Sequence, residues 1–155
     1  MKSDIAALSA HRIWDSRGHP TVEVEVRLVD GTVGRGIAPA GASRGSFEAI
    51  DLRDAGAALG GFGVGRAVAS VNGSIAGALI GRDAVDQAAI DAALIALDGT
   101  PNKSRLGGNA TIATSLAVLD AAARHARAPL WRYVAGGRKV RLPLPEIQIF
   151  GGGGA

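Results

Sequence analysis

Thr21-Val22-Glu23-Val24-Glu25-Val26-Arg27-Leu28 alternates apolar and polar residues without a break. Only an extended strand, whose side chains point to opposite faces in turn, converts that pattern into one oily side and one wet side. Val22, Val24, Val26 and Leu28 therefore face a core, and Glu23, Glu25 and Arg27 face away from it. Asp30-Gly31 follows, a pair suited to a tight hairpin turn, and Thr32 to Ala38 reads as the returning strand. On the other side Asp15-Ser16-Arg17-Gly18-His19-Pro20 is a turn cluster, preceded by a short apolar run from Ile5 to Trp14. The opening of the chain is thus expected to be a three-stranded antiparallel meander.

Beyond Ala38 the pattern changes to helical spacing. Phe47 to Asp54 reads as a short helix, and Leu59 to Gly65 as a glycine-rich loop. Val68, Val71, Ile75 and Leu79 mark a second helix ending at Gly81. Asp83 is expected to cap a third that runs to Leu97, with Val85, Ala89, Ala93 and Leu97 on one face. Asp98 to Asn102 is a turn. Asn109 is expected to cap a long helix to about Arg127 that buries Ile112, Leu116, Leu119 and Ala123. Leu130 to Val134 adds a further turn after Pro129. The fold class is α+β, a meander packed on a helical subdomain. Residues 1–139 form that domain. Residues 140–155, with Leu142-Pro143-Leu144-Pro145 and the apolar run Ile147 to Phe150, read as the lead into a second domain whose body is missing.

Hydrophobic residues make up 47% of the 155, enough for a core, but aromatics are only 4% and alanine is frequent, so close packing of small side chains is expected. With no cysteine, disulfides and cysteine metal sites are excluded. No apolar run is long enough to cross a membrane, and Met1 to Ile5 lacks the apolar stretch of a secretion signal, so a cytoplasmic protein is expected. The net charge of +3 is small, and the basic group at Arg132, Arg138, Lys139 and Arg141 is not interleaved as a base-stacking platform. Nucleic acid is not an expected partner.

Three kinds of chemistry can be weighed on the residues. Gly41-Ala42-Ser43-Arg44-Gly45 has the spacing of a hydrolase nucleophile elbow. That reading needs a parallel sheet and a later histidine, but the preceding strands are antiparallel and only His125 follows. Gly61-Phe62-Gly63-Val64-Gly65 and Gly99 to Ser104 both fail phosphate-loop spacing. His11, His19 and His125 are too scattered for zinc.

Asp15 to Val26 resembles the opening of enolase, DSRGNPTVEVEV. Gly41 to Ala49 is similar to that family's mobile loop, GASTG followed by a glutamate, and Leu97 to Ala110 is similar to its LDGTxNKSxLGANA segment. Pro129-Leu130-Trp131-Arg132-Tyr133 and Leu142 to Pro145 follow in order. The resemblance implies an N-terminal domain that precedes an α/β barrel. It implies an Mg²⁺-dependent lyase that dehydrates 2-phosphoglycerate to phosphoenolpyruvate. Gly41, Ala42, Ser43, Arg44 and Gly45 would form a substrate-closing lid, with Ser43 binding a second Mg²⁺. Arg17 and Glu23 match dimer-contact positions, so a homo-oligomer is expected. No catalytic acid or base falls in this chain, which alone is expected to be inactive. Arg44 stands where the family has threonine, His19 where it has asparagine, and Gly151 also where it has asparagine. The lid cation leaves open an enolase homologue acting on another phosphorylated or phosphonate acid. A non-catalytic fragment that self-associates is the reading from a different class.

Overall fold

The computed structural model describes residues 2–41, 45–147 and 149. Three antiparallel strands form one sheet in the order β1-β2-β3: β1 is Ile5–Trp14, β2 is Pro20–Leu28 and β3 is Val33–Ile37. The alternation in β2 works as expected, with Val22, Val24, Val26 and Leu28 all buried. Cross-strand pairs such as Ala10 with Val24 and Val26 with Gly34 fix the register. At the hairpin, Gly31 takes φ +87°, the left-handed conformation that a three-residue turn of this kind needs.

The inner face of the sheet is covered by helices. Helix α1 (Gly65–Ser70) runs through a π-helical turn, Val71–Ile75, into α2 (Ala76–Leu79). Asn72, on the π-helical turn, bonds Ala10 through both amide atoms, at 2.7 Å to its N–H and 3.1 Å to its carbonyl. It thereby satisfies groups that an edge strand would leave unpaired. Helices α3 (Gln87–Asp98), α4 (Gly108–His125) and α5 (Leu130–Ala135) follow.

Helix α4 lies directly on the sheet, and the packing is very close. Ala113, Ala117 and Ala121 face Gly34 and Gly36 of β3. A Cβ built on Gly36 would stand 2.5 Å from the backbone nitrogen of Ala117. Small residues on both sides let helix and strand backbones approach this far. The expected buried face of α4 is therefore corrected at Ile112 and Leu116, while Ala123 is buried as expected. Ala110, Ala113, Thr114, Ala117, Val118 and Ala121 are buried, whereas Ile112 is 50% and Leu116 41% exposed. The sheet accepts methyl groups here and leaves no room for larger side chains.

Three further expectations change. Phe47 to Asp54 is not helical. Its alternate residues bond outward, Ile50 N–H to Asn102 O, Leu52 to the Asn109 side chain and Asp54 N–H to Gly63 O. Those bonds replace the intrahelical ones. Asp83 does not cap α3, because residues 81–84 pair with the N-terminal segment. Asp83 instead accepts from the Ser3 hydroxyl and the Val85 N–H, and Asp86 caps α3 through the Ala89 N–H at 3.0 Å. The buried positions of α3 are Ile90, Leu94 and Asp98, one residue out of phase with the expected set, and Val85 is exposed. Among the described residues after α5 there is no strand or helix, and Leu142, Leu144 and Ile147 are exposed. No helix among the described residues is long and apolar enough to cross a membrane.

Candidate functional site

The loop singled out by sequence leaves β3 at Ala38 and rejoins the fold at Gly45. Ala42, Ser43 and Arg44 lie outside the described residues. Its two stems can be followed. On the entry side, Ala38 accepts the Thr21 hydroxyl at 2.7 Å, and Ala40 accepts from the Arg17 guanidinium. Arg17 belongs to the turn after β1, which Asp15 organises by accepting the N–H groups of Arg17 and His19 at 2.9 and 2.8 Å. The His19 N–H, helped by the N–H and charge of Arg17, holds the Asp15 carboxyl below its ordinary range.

On the exit side, Glu48 closes a turn on Gly45: its carboxylate accepts the Gly45 N–H at 2.8 Å, and its own N–H bonds Gly45 O at 3.2 Å. The next residues are stitched to the start of α4. Gly108 N–H bonds Ile50 O at 2.8 Å. Buried Asn109 accepts from the Leu52 N–H and donates to the Leu52 carbonyl, both at 3.1 Å. Asn109 is thus a clamp on the exit stem, and the residue at the head of α4 is Gly107, at φ +98°. A side chain at Gly107 would meet the Leu52 Cβ at 2.6 Å.

Two more side chains hold this stem. Arg53 donates to the carbonyls of Pro20 and Phe62 at 2.6 and 2.9 Å and pairs with Asp51 at 3.2 Å. Asp54 accepts the N–H groups of Arg66 and Gly65, both at 2.8 Å. Those bonds depress its carboxyl and complete the open end of α1. His19 stacks on Phe62 with ring centres 4.5 Å apart. Behind the clamp, buried Asp98 accepts from the N–H groups of Leu106 and Thr100 and from the Thr100 hydroxyl. Burial pushes the Asp98 carboxyl up, and these bonds outweigh it, so the net displacement is downward.

Between the stems lies a cleft of about 170 Å³, lined by Pro39, Gly41, Glu48, Asp51 and Gly108 among others. Among the described residues no three histidine or carboxylate side chains converge into a cation site. What the loop itself could offer a cation is oxygen, from the Ser43 hydroxyl and peptide carbonyls, the donor type that Mg²⁺ prefers.

The outer face of the sheet holds the other named residues. Glu23, expected to be exposed, is 3% exposed. Arg35 of β3 reaches it at 2.5 Å and His11 of β1 at 2.8 Å, so the two neighbouring strands cover its carboxylate with their own polar side chains. The Arg35 hydrogen bond, more than the His11 contact, holds the Glu23 carboxyl below its ordinary range. Ile37, the cross-strand neighbour of Glu23, lines a hollow of about 390 Å³ with Ile13, Thr21 and Arg17. Arg17 therefore borders both the entry stem of the loop and the outer sheet face.

Sequence reasoning missed Asn109 as a clamp, as well as Arg53, Asp54, His11 and Arg35. The available signal was an asparagine followed by an alanine-rich helix, where a polar residue has to find partners. Arg53 reaches the carbonyls of Pro20 and Phe62, and Asp54 the N–H groups of Gly65 and Arg66, partners that no local pattern shows.

Residues 5–134 match the family model described as "Enolase, N-terminal domain". Over 149 residues, 96% of this chain, the sequence is 54% identical to "Enolase" of Acidothermus cellulolyticus and 50% identical to "Enolase 1" of Desulfitobacterium hafniense. Those matches cover 35% and 34% of the relatives, so the chain spans about a third of their length. The three-stranded meander, the helices behind it and the loop held between two fixed stems are thus those of an enolase N-terminal domain, and the chain belongs to the enolase family.

Proposed function

We propose that this chain is the lid-bearing and subunit-contacting part of a cytoplasmic, Mg²⁺-dependent enolase, a glycolytic hydro-lyase that converts 2-phosphoglycerate to phosphoenolpyruvate. Residues 1–139 form the domain, and residues 140–155 lead into the part that holds the catalytic acid and base. The observation that carries the reading is the loop mounting. Both stems are fixed by hydrogen bonds, and the short stretch between them holds Ser43 flanked by Gly41 and Gly45.

A loop mounted this way can swing at its glycines while its ends stay in place, and closing it over a bound substrate excludes water. Mg²⁺ would supply charge stabilisation as the proton next to the substrate carboxylate leaves. Ser43 would give that ion a hydroxyl and a carbonyl oxygen when the loop is down. Arg44 would bring a cation toward the substrate phosphate. Arg17 and Glu23 would meet a second subunit.

A chimera tests this directly, with the chain replacing the corresponding segment of the Acidothermus cellulolyticus enolase. The 155-residue chain alone should form no phosphoenolpyruvate, whereas the chimera should form it with Mg²⁺ and lose at least tenfold in kcat on Ser43→Ala. Turnover by the chain alone, or a folded chimera without turnover on 2-phosphoglycerate, would overturn the proposal. Arg44→Thr should raise KM for the phosphorylated substrate.

A further inference from the structure

Six of the 17 basic residues fall between residues 121 and 145, a stretch without a carboxylate, which leaves 11 to balance all 14 acidic residues elsewhere. The fold does not mend this separation. At the border of the stretch two carboxylates are already engaged. Asp120 accepts from the Arg124 side chain and the Arg35 N–H, and Asp30 pairs with His125. Beyond them Arg127, Arg132, Arg138, Lys139 and Arg141 are all exposed, and none of the five pairs with a carboxylate among the described residues. They lie on the end of α4, on α5 and on the segment just after it. Arg138 donates to the Ala135 and Val134 carbonyls at 3.0 and 3.4 Å, which holds the turn after α5 against the helix end. Lys139 and Arg141 are at most about 7 Å of chain apart, within the screening length of about 8 Å at physiological salt. A polyanion that displaces small counterions from such a surface gains their release.

Two features choose among polyanions. The first is an aromatic ring. On sequence alone this basic group lacks a stacking platform, but in the fold the Arg132 guanidinium lies 5.1 Å from the centre of the Trp131 ring, and Trp131 stays 57% exposed. An exposed indole beside a guanidinium is a surface on which a nucleobase stacks. The second is the choice of cation. Five of the six are arginine, whose planar fork matches a phosphate group. An anionic membrane fits less well. Helix α5 is six residues long and ends at Gly136 and Gly137, both at positive φ, too short to lay an apolar face along a headgroup layer.

We propose that the α5 surface binds single-stranded nucleic acid, with Arg127, Arg132, Arg138, Lys139 and Arg141 holding phosphates and Trp131 stacking a base. This departs from the sequence-based expectation about nucleic acid, and it goes beyond the enolase reading without resting on it. The contacts reach only backbone charge and a base face, so neither base sequence nor sugar is read.

Fluorescein-labelled 12-mers of oligouridylate and oligothymidylate, and a duplex of the same length, are titrated with the 155-residue chain and with the chimera, and anisotropy is read. Melting curves confirm that each variant folds. Both single strands should bind with similar affinity, and the duplex, whose bases are already stacked, at least fivefold more weakly. If each of the five cations neutralises one phosphate, affinity should fall roughly a hundredfold between 50 and 200 mM salt, a log–log slope of about −3.5. Trp131→Ala should weaken binding at least fivefold and leave that slope unchanged. Lys139→Ala with Arg141→Ala should make it shallower by about 1.4. Arg82→Ala, an exposed cation on the body that bonds Ala78 O, is the control and should change neither. No binding of either single strand at 50 mM salt overturns the proposal, whether or not phosphatidylserine vesicles sediment the chain. So does a Trp131→Ala variant of full affinity, because the surface then attracts charge alone. Binding by the chain but not by a folded chimera also overturns it, because the surface is then covered within the subunit.

Discussion

Gly34→Ala adds one methyl group where β3 and α4 approach each other very closely. The new Cβ would lie 2.6 Å from the Ala121 Cα and would overlap the Ala121 nitrogen and the Ala117 carbonyl oxygen. Carbon atoms pack at about 3.5–4.0 Å, so α4 has to retreat by roughly 1 Å. The obstacles are backbone atoms, which cannot swing aside as a long side chain can. A gap of that size forfeits roughly a quarter to a half of each contact along the helix–sheet seam. Overpacking of this kind costs about 1–3 kcal/mol, and rigid surroundings place Gly34 at the upper end. Against that, alanine restricts the unfolded chain and returns about 0.4–1 kcal/mol. The expected net loss is about 2–2.6 kcal/mol, a fall in Tm of roughly 4–10 °C for a chain of this size. Gly77→Ala is the matched control. It lies in α2 with nothing within 4 Å of the added Cβ, so only the favourable terms operate, and it should stabilise by about 0.5–1 kcal/mol. Urea unfolding followed by circular dichroism measures both. A neutral or stabilising Gly34→Ala would mean that the seam is loose and that small residues are not what fixes α4 on the sheet.

Three other outcomes follow from the same contacts. Asn109→Ala removes the clamp on Leu52 and leaves two buried peptide groups unpaired; it should cost about 2–4 kcal/mol by urea unfolding and speed hydrogen exchange at the Leu52 amide. Asp30 is pulled from 3.8 down to about 2, first by the N–H and hydroxyl of Thr32 and then by His125 at 2.7 Å. A depressed carboxylate contributes stability that is complete above its unfolded pKa and is lost as pH falls through the folded one. Wild type should therefore lose this contribution between about pH 4 and pH 2, and Asp30→Asn should flatten that part of the Tm–pH curve; an unchanged curve would remove Asp30 from the account. Arg35→Ala leaves buried Glu23 with His11 alone and should destabilise the fold at neutral pH by urea unfolding. Because Glu23 is also depressed, that cost should shrink as acid protonates it, and a cost independent of pH would contradict the pairing.

The meander was legible because one strand carries its whole address in alternation: Val22 to Leu28 could be half-buried in only one way, and Asp30-Gly31 fixed the return. The helices were legible as segments, but their faces were not. In α4 the larger residues, Ile112 and Leu116, pointed sequence reasoning to the wrong side, because apolar size was taken as the mark of burial. What decides the side is Gly34 and Gly36, some eighty residues earlier, which turn β3 into a surface that only alanines can meet. The segment leaving the loop failed for a related reason. Residues 47–54 have helical spacing, yet their backbone bonds go to Asn102, Asn109 and Gly63, partners that exist only once the rest has folded. The same logic separates the two charged residues of the outer face. Glu23 and Glu25 alternate identically in sequence, but Arg35 and His11 converge on Glu23, and so Glu23 alone is buried. A carboxylate held by Arg35 on one neighbouring strand and by His11 on the other is fixed in position. Its side chain therefore has little rotational entropy left to lose in any further contact.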